Sequence, residues 1–204
     1  LKFYFMLGLP TETQADLQGI VDLINDVRKM ANPYGRIKIN VTLSTFIPKP
    51  ETPFQWEAQD SKEVIREKID FLMDNLKHKN VRASYRDPKY SEIEGVLSRG
   101  DRKVSAAIFA AWQEGAGFDS WGDYFRYDRW MKAFETAGIN YQDYLNACDD
   151  QDILPWDLVD NGILKKFLRR EKRKAYQEAT VIDCRDGCLA CGVCDFDELI
   201  MRVV

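Results

Sequence analysis

The sequence predicts an α/β protein in which a parallel strand–helix–strand unit is followed by a mainly helical region and a cysteine-rich tail. Residues 3–7 form an apolar run, and an amphipathic helix pattern and an alternating strand over residues 37–46 come after it. From about residue 87 the spacing of apolar side chains is helical. Four of the five cysteines fall between residues 184 and 194.

Composition limits the class of protein. The chain has 204 residues, of which 45% are hydrophobic and 30% charged, and its formal net charge is −4. A chain of this size buries roughly 70% of its unfolded surface, so it needs no disulfide framework. It holds no apolar run near the ~20 residues of a membrane-spanning helix and no signal peptide. We therefore expect a soluble cytoplasmic protein with no membrane partner, and the acidic balance argues against indiscriminate nucleic-acid binding.

The first strand is apolar on both faces, which is typical of a central strand in a parallel sheet. Such a strand needs neighbours on both sides, and the sequence begins inside it. We therefore expect a fragment of a longer chain. In the second strand Ile37, Ile39, Val41 and Leu43 alternate with polar residues, so one face is predicted to be buried and the other to line a lumen or a site.

Start and stop signals divide the rest of the chain. Thr13 and Asp16 are spaced as a capping box at the start of the connecting helix. Ser91 and Glu94 are a second capping-box candidate. Helices are predicted over residues 61–78, 91–100, 104–112, 121–136, 141–148 and 162–179, and a short strand over residues 81–85. We expect three parts, residues 1–86, 87–179 and 180–204.

The strongest chemical signal is the group of Cys184, Cys188, Cys191 and Cys194. This spacing lets four thiolates converge on one metal centre while backbone N–H groups point at the sulfur atoms. Structural zinc sites usually join two knuckles by a longer loop, which is absent here. The two-residue spacing between successive cysteines is that of ferredoxins, so we favour an iron–sulfur (4Fe-4S) cluster over zinc, and both over free or disulfide-bonded thiols. Cys148 is predicted to be a buried side chain.

The first three of these cysteines also spell the C-x3-C-x2-C triplet of clusters that cleave S-adenosylmethionine. That reaction needs one iron left open for the cofactor, and Cys194 could close it. The triplet also follows helices instead of an early barrel strand. We therefore expect an accessory or structural metal site.

Two segments, residues 6–13 and 44–54, resemble radical S-adenosylmethionine enzymes in the late strands of their partial (β/α) barrel. The first is a strand ending in a G-x-P-x-E-T turn, which is widespread in that family, and the second is a proline-rich loop. Residues 98–102, 111–112, 154–157 and 183–196 are similar to a largely uncharacterised subgroup whose chains carry an upstream cobalamin-binding-like domain. The resemblance extends over nearly the whole chain.

This resemblance implies the C-terminal portion of an iron–sulfur enzyme of unknown substrate, starting at about the fifth barrel strand. The upstream cluster motif and the motif that grips the methionyl amine lie outside the chain, so it is expected to be inactive alone. In the family the strand corresponding to residues 3–8 backs the adenine of the cofactor. Leu7, Gly8 and Leu9 are therefore the implied S-adenosylmethionine contacts, at the carboxyl end of a parallel strand, where barrel sites form.

A second possible function is a metal-stabilised RNA-binding or protein-interaction module. The helix predicted over residues 163–179 carries seven basic side chains beside the cysteine tail, which suits contact with RNA phosphates. A solvated face that packs its apolar residues inward is the structural alternative. The basic residues are Lys165, Lys166, Arg169, Arg170, Lys172, Arg173 and Lys174. The single histidine, His78, is expected on the surface near a helix end.

Overall fold

The computed structural model describes residues 1–35 and 37–193 and has a mixed α/β architecture, as predicted. The described chain divides into two compact units. Unit 1 contains residues 1–47 and 59–145, and unit 2 contains residues 48–58 and the chain from residue 146 onward. The elements are β1 (Lys2–Leu7), α1 (Gln14–Ala31), β2 (Ile39–Thr45), α2 (Lys62–Asn75), β3 (Val81–Tyr85), α3 (Pro88–Arg99), α4 (Val104–Gln113), α5 (Tyr127–Thr136) and α6 (Lys165–Tyr176), with 3-10 turns at Asn32–Tyr34 and Tyr141–Tyr144.

The strands of unit 1 form a parallel sheet in the order β1-β2-β3. Phe3 lies opposite Val41 in the first pair, and Leu43 lies opposite Tyr85 in the second. Parallel neighbours require a crossover, which α1 and α2 provide. The predicted parallel strand–helix–strand unit is therefore confirmed, and β3 extends it by a third strand.

One face of the sheet is buried beneath the two crossover helices. Ile39, Val41 and Leu43 of β2 are at most 2% exposed and pack with the apolar stripes of α1 and α2. The capping box predicted for α1 is present, since the Thr13 backbone N–H donates to Asp16 at 2.7 Å. Ser61 caps α2 by accepting from the Val64 N–H at 3.3 Å.

The opposite face of the sheet is uncovered within unit 1. Tyr4 and Met6 of β1 are 72% and 49% exposed, and Asn40 and Ser44 of β2 are exposed beside them. Parallel sheets normally have both faces covered. Within the described residues β1 pairs with β2 alone, so the partner predicted for its other edge is not among residues 1–35 and 37–193.

The helical part of unit 1 has its own core, in which Val96, Ala107 and Phe134 are at most 1% exposed. Three predicted helix starts or extents are wrong. α3 begins at Pro88 with Asp87 as its cap, because proline suits the first helical position and the Asp87 carboxylate accepts from the Lys89 N–H at 3.0 Å. α5 begins at residue 127 instead of 121, and residues 141–148 contain only a short 3-10 turn.

Unit 2 packs around a buried tryptophan. Trp56, in the proline-rich loop after β2, is fully buried and packs with Leu154 and with Leu168 of α6. The neighbouring Gln55 is 1% exposed and accepts a 2.6 Å hydrogen bond from the indole N–H of Trp156. Unit 2 is therefore discontinuous in sequence.

None of the helices described here is both long and apolar enough to cross a membrane. The division at residues 86 and 179 stays a prediction.

Packing of α2 can be tested with two substitutions in that helix. Leu72 is fully buried, so Leu72→Ala is expected to lower the free energy of unfolding by about 2–5 kcal/mol. The helical period also places Val64 inward, but its side chain is 40% exposed, so Val64→Ala is expected to cost less than about 1 kcal/mol. Urea unfolding measures both values, and equal losses would contradict the packing described.

Candidate metal centre and the turn after the first strand

The turn after β1 contains the three predicted cofactor contacts. The Leu7 side chain is 1% exposed and belongs to the core between the sheet and its helices. Gly8 has a φ of +85°, and a Cβ there would lie 2.8 Å from Cδ1 of Ile65. Leu9 is 38% exposed. The glycine is therefore needed for backbone conformation and for the close approach of α2, and Leu9 alone presents its side chain to solvent.

A buried carboxylate holds this turn in place. Both carboxylate oxygens of Glu12 accept from the Gly8 N–H at 3.1 Å. The Lys68 ammonium lies 2.6 Å from Glu12 and 2.7 Å from Asp60. Burial alone lowers the pKa of Lys68, but hydrogen bonds to Asp60 and Glu12 outweigh it and raise the pKa. Glu12 pairs with a lysine 56 positions away in sequence, and such a pair gives no local signal in the sequence.

A second polar cluster joins three helices of unit 1. Glu92 of α3 is 5% exposed, accepts a short hydrogen bond from the Tyr127 hydroxyl, and lies 3.1 Å from the Lys62 ammonium. Burial and the bond to Glu92 raise the pKa of Tyr127. The cluster therefore holds a protonated tyrosine against a carboxylate. It was missed in the sequence because the three residues lie on separate helices.

The cysteine-rich segment forms turns suited to sulfur ligands. The Ala190 N–H donates to the Cys188 sulfur at 3.3 Å. Ala190 and Gly192 have φ values of +52° and +99°, so the chain folds tightly around Cys191. Backbone N–H groups directed at cysteine sulfur are a feature of thiolate metal sites. The turn from Cys188 to Gly192 therefore directs one backbone N–H at a cysteine sulfur, and a metal site at this turn stays a prediction.

The same segment is attached to the start of α6. The Leu164 N–H donates to the Cys191 carbonyl at 2.8 Å, and the Arg170 guanidinium donates to the Leu189 carbonyl. A Cβ on Gly192 would lie 2.6 Å from the Gly162 carbonyl oxygen. The turn from Cys188 to Gly192 is therefore attached to the start of α6 through backbone contacts.

The side chains of the described cysteines are not grouped around a common point. Cys184 and Cys188 are exposed and Cys191 is partly buried. Within residues 1–35 and 37–193 no three His, Cys, Asp or Glu side chains are grouped as metal ligands. Cys194 lies outside the described residues. The donor set is chemically suited to zinc or to an iron–sulfur cluster, so a four-cysteine centre stays a prediction.

Most of the basic side chains of α6 form ion pairs or hydrogen bonds within unit 2. Lys165 lies 2.6 Å from Asp157, and Lys172 lies 2.7 Å from Glu57. Arg169 donates to the Asp150 carbonyl at 2.9 Å. Burial opposes ionisation of Asp157, but hydrogen bonds from Lys165 and from the Leu154 N–H lower its pKa.

Two further basic residues pair within α6 itself. Arg170 and Lys174 lie 3.2 and 3.1 Å from the carboxylate of Glu171. In the described chain only Lys166 and Arg173 of the seven have no such polar contact.

The chain is similar to one longer archaeal protein. It is 31% identical over 105 residues to Uncharacterized protein MJ0966 of Methanocaldococcus jannaschii. The matched part is 52% of this chain and 22% of the relative, so the chain spans about a fifth of that protein's length. No family model matches the chain, and no solved structure matches it.

Metal analysis of cysteine variants tests the site. Cys188→Ser and Cys191→Ser are each expected to lower bound metal to less than about half after reconstitution, because each removes one thiolate of the predicted metal site. Cys148 is partly buried against the core of unit 2 and not fully buried as predicted. Cys148→Ala serves as control and should keep its metal. Iron, sulfide and zinc are measured after anaerobic purification, and visible charge-transfer absorption identifies a cluster. Wild-type protein that binds neither metal on reconstitution would contradict the site.

Proposed function

We propose that this chain is the C-terminal portion of a radical S-adenosylmethionine enzyme, with an accessory metal site at its C-terminal cysteines. The observation that carries the proposal is the parallel sheet of unit 1, which is covered on one face only by the part of the chain that the structure describes. Its strand ends carry the turn and the proline-rich loop on which the resemblance rests.

The open face supports a barrel in the parent protein. In a (β/α) barrel the helices pack outside and the inner strand faces line the lumen. The uncovered face here carries Asn40 and Ser44 from β2, together with Tyr4 and Met6 from β1. Polar residues on the central strand suit a lumen that holds a polar cofactor. Further parallel strands from the parent would cover this face and continue the sheet beyond β1.

The turn after β1 supports a cofactor site at the carboxyl edge of the sheet. Leu9 is the exposed side chain of the three implied contacts, and Leu7 and Gly8 contribute only backbone at this edge. Glu12 and Lys68 act as positioning residues, since they fix the Gly8 N–H and so the course of the turn.

The ion pairs of α6 favour the enzyme proposal over RNA binding. Five of its seven basic residues contact carboxylates or carbonyl groups of unit 2, so the helix offers little free positive charge. Counterion release from RNA depends on cations that can reach phosphates. The predicted metal site beside α6 remains compatible with a structural role in the enzyme.

Activity of the parent protein tests the proposal directly. The polypeptide that contains this chain, purified anaerobically and reconstituted with iron and sulfide, is expected to convert S-adenosylmethionine to methionine and 5′-deoxyadenosine under reducing conditions. The 204-residue chain alone is expected to form none, because it contributes only part of the binding surface. Product is measured by liquid chromatography. No 5′-deoxyadenosine from a cluster-loaded parent, or product from the chain alone, would count against the assignment.

Leu9→Ala tests the cofactor contact within that parent. Because Leu9 is already 38% exposed, the substitution is expected to change stability by less than about 1 kcal/mol. Loss of an apolar contact to adenine is expected to raise the KM for S-adenosylmethionine by roughly threefold or more. Leu23→Ala, at a 46% exposed position of α1, is the matched control and should leave KM unchanged. An equal KM in both variants would show that Leu9 does not contact the cofactor.

A further inference from the structure

A basic pocket lies at the amino edge of the sheet, opposite the edge that carries the turn after β1. Its volume is about 340 Å³. The last turn of α1 contributes Arg28 and Lys29, and the turn between α2 and β3 contributes His78, Lys79 and Asn80. All of these residues belong to unit 1.

Positive charge in this pocket exceeds the negative charge paired with it. Lys29 lies 2.9 Å from Asp26. For Arg28 and Lys79 the described part of the chain supplies no carboxylate within ion-pair distance. The apolar Ile37 and Ile39 line the side that leads into β2, so that wall adds no counter-charge. Two cations thus face the pocket without an anionic partner.

The surroundings of His78 lower the pKa of its imidazole. Burial lowers its pKa, and the positive charges of Arg28 and Lys79 lower it further. Both charges acting on the imidazole are cationic. The Asn80 N–H donates to Nδ1 of His78 at 3.2 Å, so the proton of the neutral ring lies on Nε2. Nε2–H is therefore the N–H donor of the neutral ring that can bind a ligand.

Helix ends account for part of this charge. The carboxyl end of α1 carries a partial negative charge of about half an elementary unit, which Arg28 and Lys29 complement. Lys29 is already paired with Asp26, and the partial charge is smaller than the charge of the two remaining cations, Arg28 and Lys79. A net positive charge therefore remains beside His78, and interaction with the carboxyl end of α1 does not account for all of it.

We propose that this pocket binds a phosphate-class oxyanion, as a free anion or as the phosphate group of a small ligand. Arg28 and Lys79 supply the charge, and Nε2–H of His78 supplies a directed hydrogen bond. A guanidinium is well matched to tetrahedral oxyanions because it offers paired N–H donors in one plane. The site is separate from the proposed cofactor edge and does not depend on the radical reaction.

The single histidine allows a direct test with the 204-residue chain. Proton NMR follows the imidazole signals of His78 through a pH titration in sodium sulfate and in sodium chloride at equal ionic strength. Sulfate is a tetrahedral oxyanion whose charge is constant over this pH range. In chloride the pKa of His78 is expected below its ordinary value of about 6.5. In sulfate it is expected to rise, because a bound anion stabilises the imidazolium.

Variants and a second probe decide whether the effect is specific. Arg28→Met and Lys79→Met are each expected to weaken sulfate binding on the order of tenfold, while Arg102→Met, at an exposed position between α3 and α4, should not. Inorganic phosphate at constant pH should shift the His78 signals saturably in the wild-type chain. Equal pKa values in sulfate and chloride, or equal losses in all three variants, would overturn the site. So would a shift with hexauridylate that phosphate does not reproduce.

Discussion

Packing of α1 and α2 on the same face of the sheet is the constraint on which the rest of unit 1 depends. β2 lies in the middle, and its buried residues Ile39, Val41 and Leu43 contact both helices. Parallel strands joined in this way leave each strand-to-helix turn at the carboxyl edge and each helix-to-strand turn at the amino edge. The Glu12 network and the His78 pocket consequently lie at opposite edges of one sheet, although the segments that form them alternate along the chain.

Charge compensation shapes the two units differently. In unit 2 five of the seven basic residues of α6 are matched by carboxylates and carbonyl groups, among them Glu57, which is 14% exposed in its side chain and pairs with Lys172. Partly buried pairs of this kind matter chiefly because removing one partner leaves the other charge uncompensated. At the amino edge of unit 1 the cations Arg28 and Lys79 have no such match among the residues that the structure describes. A run of positive charge in the sequence is therefore a poorer guide to a binding surface than unpaired charge around a cavity.

Local signals in the sequence were sufficient for much of unit 1. Alternation of apolar and polar residues predicted β2, and the Thr13–Asp16 spacing predicted the start of α1, because both depend on neighbours a few positions apart. The start of α3 was misassigned to Ser91, which lies buried inside the helix, because the Asp87–Pro88 signal was overlooked. The contacts of Glu12 with Lys68 and of Glu92 with Tyr127 join distant elements, so no periodicity could reveal them. At the cysteine tail, spacing predicted turns with an N–H directed at sulfur, as Ala190 and Cys188 show, but not the attachment of that tail to α6.

The discontinuity of unit 2 affects the order in which the chain can fold during synthesis. Residues 48–58 leave the ribosome before the partners of Gln55 and Trp56, which follow about a hundred positions later, as the 101-residue separation of Gln55 and Trp156 shows. Unit 1 needs only residues up to 145, so its sheet can form while Trp56 still has no core to enter. At a usual elongation rate of about 5–20 residues per second, that interval lasts roughly 5–20 s. The Trp56 side chain is therefore without its core partners Leu154 and Leu168 for this time.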